Sequence, residues 1–149
     1  MGNAERDALD AAGRALSYRD LSSRALRAKL AAAGVGESLA EETVARLVGD
    51  GLVDDARTAA ARARALAGRG YGNRAIDARL EHEGFDRGCR ATALGEIESE
   101  ETRASAIVSG AGGAKLTRLV AGLRRRGFGP DAIESALARV DESGDPELR

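Results

Sequence analysis

Residues 26–35 read LRAKLAAAGV, residues 76–85 read IDARLEHEGF and residues 119–128 read LVAGLRRRGF. The three stretches share one pattern: an apolar residue, Leu four positions on, Gly four further, then an apolar residue. The copies are Leu26, Leu30, Gly34, Val35; Ile76, Leu80, Gly84, Phe85; and Leu119, Leu123, Gly127, Phe128. Two apolar residues four apart share one face of a helix. The Gly is the favoured residue just past a helix end, because it takes the left-handed conformation without a Cβ clash. The apolar residue after it can fold back on the helix. A second helix follows each copy, with apolar faces Leu39, Val44, Leu47; Cys89, Ala93, Leu94; and Ala132, Ile133, Ala136, Leu137. The glycines lie 50 and 43 residues apart, within the range of structural repeats.

Composition narrows the fold class. Only 3% of the residues are aromatic and none is Trp. There is no β-branched run with alternating polarity, so almost no sheet is expected. Thin cores of Leu, Val, Ile and Ala are expected, one per repeat. The formal net charge is −1, which argues against a protein whose main task is coating nucleic acid. That balance hides segregation. Residues 37–55 are acidic (Glu37, Glu41, Glu42, Asp50, Asp54, Asp55) and residues 57–79 basic (Arg57, Arg62, Arg64, Arg69, Arg74, Arg79). Glu96, Glu98, Glu100 and Glu101 are acidic again, and Lys115, Arg118, Arg124, Arg125 and Arg126 basic. Such stripes are either solvated helix faces with weak internal pairs or a surface for an acidic or polyanionic partner. Cys89 is the single cysteine and reads as a small core residue, which fits a reducing compartment. No stretch resembles a membrane span or a signal peptide, so a cytoplasmic protein is expected.

Punctuation along the chain predicts nine helices in three groups of three. A stripe of Leu9, Ala12 and Leu16 predicts a helix from about residue 4 to 17. Ser22 is the expected N-cap of the next, and a third runs from about 39 to 48. Gly51-Leu52-Val53-Asp54-Asp55 is the sharpest junction: Gly51 ends one helix, Asp54 caps the next, and Leu52 and Val53 dock the junction on the core. Asp55 then sits in a helix's first turn, where an acid is favoured. Helices are expected at about 55–67, 73–83 and 87–95, with Gly68-Arg69-Gly70-Tyr71-Gly72 as a break. Ser99 is the expected cap of a helix running to Val108. Gly110-Ala111-Gly112-Gly113 reads as a flexible joint, and the last two helices as about 114–126 and 130–140, with Pro130 at a favoured first position. The expected domains are therefore a first repeat over residues 1–50, a second over 51–97, a third over 98–140, and a loose C-terminal tail over 141–149. The fold class is all-α: an elongated tandem array of helix-turn-helix-like three-helix repeats, mutually supporting as repeat proteins are.

No catalytic set, metal site or cofactor site emerges. His82 is the single histidine, between Glu81 and Glu83, and reads as a surface residue. Residues 110–117, GAGGAKLT, imitate a phosphate loop. They place Ala114 where Gly must precede Lys115, and Leu116 where Ser or Thr would hold Mg²⁺. Residues 68–72, GRGYG, lack the spacing and the preceding strand of a dinucleotide fingerprint. Asp54-Asp55 is explained by helix capping without a metal.

The motifs together resemble the RecX family, bacterial regulators of the recombinase RecA. Residues 19–30, RDLSSRALRAKL, are similar to the family's first repeat. Residues 51–57, GLVDDAR, resemble its junction, and residues 69–76, RGYGNRAI, its turn. Gly127-Phe128 and Ile133 fit its third repeat. Thr58 stands where the family usually has an aromatic residue, and Asn73 where it usually has Pro. The resemblance implies an all-helical, non-enzymatic protein of tandem three-helix modules. It would bind RecA, within the groove of the filament on single-stranded DNA, and limit its recombinase, ATPase and co-protease activities. Arg57, Arg62, Arg64, Arg69, Tyr71, Arg74, Arg118, Arg124, Arg125 and Arg126 are the candidate contacts with RecA and with DNA phosphates. Arg57 has a structural alternative in pairing with Asp54 or Asp55, and Tyr71 in covering the core. A monomer without membrane or small-molecule partners is expected. The alternative reading is a stand-alone DNA-binding protein built of helix-turn-helix-like modules.

Overall fold

The computed structural model describes residues 1–112 and 115–143, with side chains through residue 140. Among the described residues there are nine helices and no strand. They are α1 (Asn3–Tyr18), α2 (Ser23–Ala32), α3 (Glu37–Gly49), α4 (Asp55–Gly68), α5 (Asn73–His82), α6 (Arg87–Glu96), α7 (Glu100–Gly110), α8 (Leu116–Arg125) and α9 (Pro130–Ser143). Four bounds differ from expectation by two residues or more, α8 among them, which begins at Leu116 and not near residue 114. α3 begins at Glu37 after Gly36, because an acid in the first turn suits the positive helix end. α7 runs on to Gly110, into the expected joint. α9 continues to Ser143, since Asp141, Glu142 and Ser143 include no helix breaker. The rest of the expected tail, residues 144–149, lies outside the described residues, as do Gly113 and Ala114 of the joint.

The repeated pattern closes its helices as the spacing predicts. Val35, Phe85 and Phe128 donate their amides to the carbonyls of Leu30, Leu80 and Leu123 at 2.9, 3.1 and 3.0 Å. The intervening Gly34, Gly84 and Gly127 have φ of 90°, 95° and 92°. This is the paired bond pattern of a glycine-ended helix. Ser22 and Ser99 cap α2 and α7, accepting from Ala25 and Thr102, and Asp54 accepts from the Arg57 amide at 3.1 Å.

The chain forms two compact units. In the first, residues 1–59 and 80–90, helices α1, α2 and α3 pack on one another. Their core holds Ala12, Leu26, Leu30, Val44, Leu47 and Val53, with Leu9 and Leu16 packed against it. In the second, residues 60–79 and the chain from Ala91 onward, α7 packs along α9. Its core holds Ala104, Val108, Leu123, Phe128, Ile133 and Ala136, with Leu119 against it. Ile76 and Leu80 are fully buried. The Gly51 junction departs from expectation at one residue. Val53 is buried, but Leu52 is 60% exposed. Both amides bond to the Leu47 carbonyl, and Val53 alone fills the space over the core.

Each unit contains a joint between two helix ends. In the first, the turn after α5 meets the start of α2. The Ser22 hydroxyl donates to the Glu83 carbonyl at 2.6 Å, Arg19 pairs with the Glu83 carboxylate, and a methyl group at Gly84 would lie 2.8 Å from Ser22 Oγ. Asp55, at the start of α4, accepts from both the amide and the hydroxyl of Ser23 at 2.7 Å. In the second unit, the turn after α8 meets the start of α5. The Gly72 amide donates to the Arg126 carbonyl at 2.8 Å and the Arg74 amide to the Gly127 carbonyl at 3.1 Å. A methyl at Gly72 would lie 2.3 Å from the Phe128 nitrogen, and one at Gly127 2.6 Å from the Ala75 nitrogen. Glycine is required at both by close approach. The contact satisfies amides that a helix start leaves unpaired and sets a negative helix end against a positive one.

If Leu30, Leu80 and Leu123 occupy equivalent buried sites, each Leu→Ala change should lower stability by about 2–5 kcal/mol in urea denaturation. A loss near zero at Leu80 would break the equivalence of the second copy.

Candidate partner-binding surface

Arg103 organises the second unit, and no sequence pattern singled it out. It lies in the first turns of α7 at 8% exposure. Its Nε donates to the Glu98 carbonyl at 3.0 Å and its Nη1 to the Tyr71 carbonyl at 2.7 Å. Its Nη2 donates to Asn73 Oδ1, and the guanidinium stands 5.7 Å from the centroid of the Phe128 ring. Burial pushes the Arg103 guanidinium below its ordinary value, while Glu100, Glu98 and Glu101 oppose the shift; arginine stays cationic at neutral pH regardless. One turn earlier, Glu100 Oε1 accepts from the Asn73 amide at 3.0 Å and the Gly129 amide at 3.1 Å. A single carboxylate oxygen therefore caps both α5 and α9. Asn73 supplies an amide that a Pro at this helix start would lack, and its side chain supplies the acceptor for Arg103.

The joint gathers part of the expected basic set. Arg69 lies 5.8 Å from the Tyr71 ring centroid. The Arg126 guanidinium would stand 3.3 Å from a methyl at Gly70, and the Arg74 amide is bonded to Gly127. The Arg69-Tyr71 turn thus meets Arg126 in the second unit, with the Arg74 backbone bonded to the same turn and Arg124 and Arg125 preceding Arg126 on it. The arginine side chains are exposed and Tyr71 is half-buried. Arg124 and Arg125 close α8, where cations suit the negative helix end.

The other candidates stand elsewhere. Arg57 belongs to the first unit; its side chain donates to the Gly51 carbonyl at 3.2 Å instead of pairing with Asp54 or Asp55. Arg62 is half-buried and Arg64 exposed, the latter lining an open cavity of about 400 Å³ with Ile97, Glu98, Arg103 and Ile107. Arg118 is exposed in the first turn of α8. His82 is exposed. Cys89 is half-buried, its thiol donating to the Asp55 carbonyl at 3.4 Å. Burial first, then Asp55, Asp86 and Asp54, push that thiol above its ordinary 9.0, with Arg90 opposing. Among the described residues no group of three or more His, Cys, Asp or Glu could hold a metal ion. No helix among them is long and apolar enough to cross a membrane.

The chain resembles known proteins. Residues 8–47 match the family model described as RecX, first three-helix domain. The chain is 39% identical over 87 residues to the regulatory protein RecX of Xanthomonas oryzae pv. oryzae, across 58% of this chain and 54% of that protein. The RecX of Xanthomonas axonopodis pv. citri shows the same identity and coverage. The chain thus spans about half the length of the curated relatives it matches. The fold is that of the crystal structure of RecX from Lactobacillus salivarius, with a TM-score of 0.82, 18% identity, and 95% and 99% of the two chains covered. A crystal structure of regulatory protein RecX matches with a TM-score of 0.71 at 20% identity over 89% and 70%.

Two outcomes follow from this geometry. Arg103→Leu strands the Tyr71 and Glu98 carbonyls and should lower stability by roughly 2–4 kcal/mol. Arg103→Lys keeps the charge but not the fork and should restore only part of it; full stability of the leucine variant would remove Arg103 from the joint. The raised thiol makes Cys89 slow toward disulfide reagents at pH 8, relative to the urea-unfolded chain. Because the unfolded thiol ionises first, its stabilising term holds below pH 9 and fades as pH rises further. Equal native and unfolded reaction rates at pH 8 would contradict the burial.

Proposed function

We propose that the chain is a regulator of the RecX kind, a reading supported by its match to the RecX first three-helix domain over residues 8–47 and its 39% identity to a RecX protein over 87 residues, and that it binds the RecA filament on single-stranded DNA without catalysis. Acting as a monomer, it restrains the recombinase, ATPase and co-protease activities of RecA by occupying filament surface. The observation that carries this reading is the basic group of Arg69, Arg74, Arg124, Arg125 and Arg126 on a chain of net charge −1. A locally basic face on a nearly neutral protein suits a partner with acidic patches better than a bare polyanion. Tyr71, with Arg69 over its ring, adds a rigid amphipathic contact of the kind enriched in protein interfaces.

The test is the single-stranded-DNA-dependent ATPase of the cognate RecA, titrated with this protein beside a gel shift on DNA alone. The expected result is inhibition well below the concentration that shifts DNA. Inhibition confined to concentrations that already coat DNA would replace this reading with that of a stand-alone DNA-binding protein. Reversing Arg124, Arg125 and Arg126 to Glu should weaken inhibition without unfolding the protein, since all three side chains are exposed, at a modest cost in melting temperature from acids at the negative end of α8. Undiminished inhibition by that folded variant would remove α8 from the contact.

A further inference from the structure

We propose that the joint of the second unit is an open ion-pair site, in which Arg69 and Arg126 hold a carboxylate of the protein partner as Arg19 holds Glu83 in the first unit. The inference rests on the reading above, which supplies the partner, and names the chemical group that the basic face takes.

Backbone bonds put the two joints in one register. The Ser22 hydroxyl donates to the Glu83 carbonyl, and the Gly72 amide donates to the Arg126 carbonyl. One residue on, the Ser23 amide donates to Asp55 and the Asn73 amide to Glu100. Ser22 therefore corresponds to Gly72, and Glu83 to Arg126. In that register Arg19 matches Arg69, and Arg24 matches Arg74. On the opposing turn, Glu81 and His82 match Arg124 and Arg125.

What differs is charge. In the first unit Arg19 pairs with the Glu83 carboxylate, and Arg24 lines one open cavity of about 520 Å³ with Glu81, His82 and Glu83. In the second unit both arginines are kept, but the turn opposite carries three arginines where the first carries Glu, His and Glu. The Arg126 guanidinium reaches the Gly70 turn, where it would stand 3.3 Å from a methyl. Arg69, the residue before Gly70, lies over the ring of Tyr71, the residue after it. Both arginines are exposed. Among the described residues no carboxylate pairs with either.

Closing the joint does not require these cations. The carbonyl of Glu83 accepts as the carbonyl of Arg126 does, so the turn docks equally with an acid at that position. Like charges gathered on one joint repel, whereas a carboxylate set among guanidiniums gains charge-assisted bonds that are frequently bidentate. The first joint shows which group this geometry accepts, and it is a side-chain carboxylate. The occupant is accordingly an Asp or Glu of the protein partner. A local cation cluster on a chain of net charge −1 matches a local acidic patch better than the continuous charge of nucleic acid.

The test is Arg126→Glu in the filament ATPase assay. The new carboxylate stands in the register of Glu83, so it engages Arg69 from within and closes the site. The concentration for half-inhibition is expected to rise by about ten-fold, the scale of one lost charge-assisted contact. It should rise less for Arg126→Gln, which empties one side of the site without occupying the other. Arg27→Glu, the same change of net charge on an exposed residue of α2, should inhibit as the parent does. Circular dichroism and melting check that each variant is folded, and Arg69→Glu, from the other side of the joint, decides if Arg126→Glu does not fold. Native-like inhibition by the folded variant would overturn the ion-pair site and leave the regulatory reading standing. An equal loss in Arg27→Glu would overturn it as well, because net charge would then be the cause. A matching loss of the gel shift on DNA alone would make the occupant a phosphate and overturn the carboxylate. Failure of the parent chain to inhibit would overturn both readings.

Discussion

A helix begins with amides that its own carbonyls cannot reach, and in this chain those amides are where the repeats are joined. The start of α5 is met by the Arg126 and Gly127 carbonyls and by Glu100. The start of α2 is met by Asp55 and, through the Ser22 hydroxyl, by the Glu83 carbonyl. Each net hydrogen bond contributes only about 0.5–1.5 kcal/mol, but several act together on one joint. Against a typical stability of about 5–15 kcal/mol, that is a substantial share. It matters more here because the cores, poor in aromatics and rich in alanine, bury little surface per residue.

Many otherwise unrelated residue choices follow from that constraint. Gly72, Gly84 and Gly127 are glycines because a methyl group would collide with the helix end opposite. Ser22 is small and hydroxylic for the same reason. Asp55 and Glu100 each serve a neighbouring helix as well as their own. Arg103 is buried because Tyr71, Asn73 and Glu98 together give its guanidinium the acceptors that burial requires. The same joint brings the Arg69 turn beside Arg126. The basic group of the second unit is thus a by-product of how two helices meet.

Much of the fold was legible because its signals are local. Apolar spacing, serine caps and glycine ends are written within a few residues, so all nine helices were expected close to their observed places. Leu52 was misplaced because a residue beside a glycine turn can face either core or solvent, and its neighbour Val53 decides which. Arg103 and Glu100 were invisible as hub and double cap because their partners lie about 30 residues away, and nothing local marks an arginine as buried. Asn73 is the available clue: at a helix start it brings both an amide and a side-chain acceptor. Of the candidate surface residues, the sequence grouped arginines by proximity along the chain. The structure regroups them by the joint, setting Arg57 apart in the first unit and binding it to the Gly51 carbonyl.

Hydrogen exchange at the amides of Gly72, Asn73 and Arg74 tests this account most directly. First-turn amides ordinarily exchange freely, as those of Leu116 and Thr117 in α8 should. If helix ends are joined as described, the three amides of α5 are protected to nearly the level of buried Ile76 and Leu80. Exchange as fast as at Leu116 would mean that the joint is open in solution, and that the repeats are held by their cores alone.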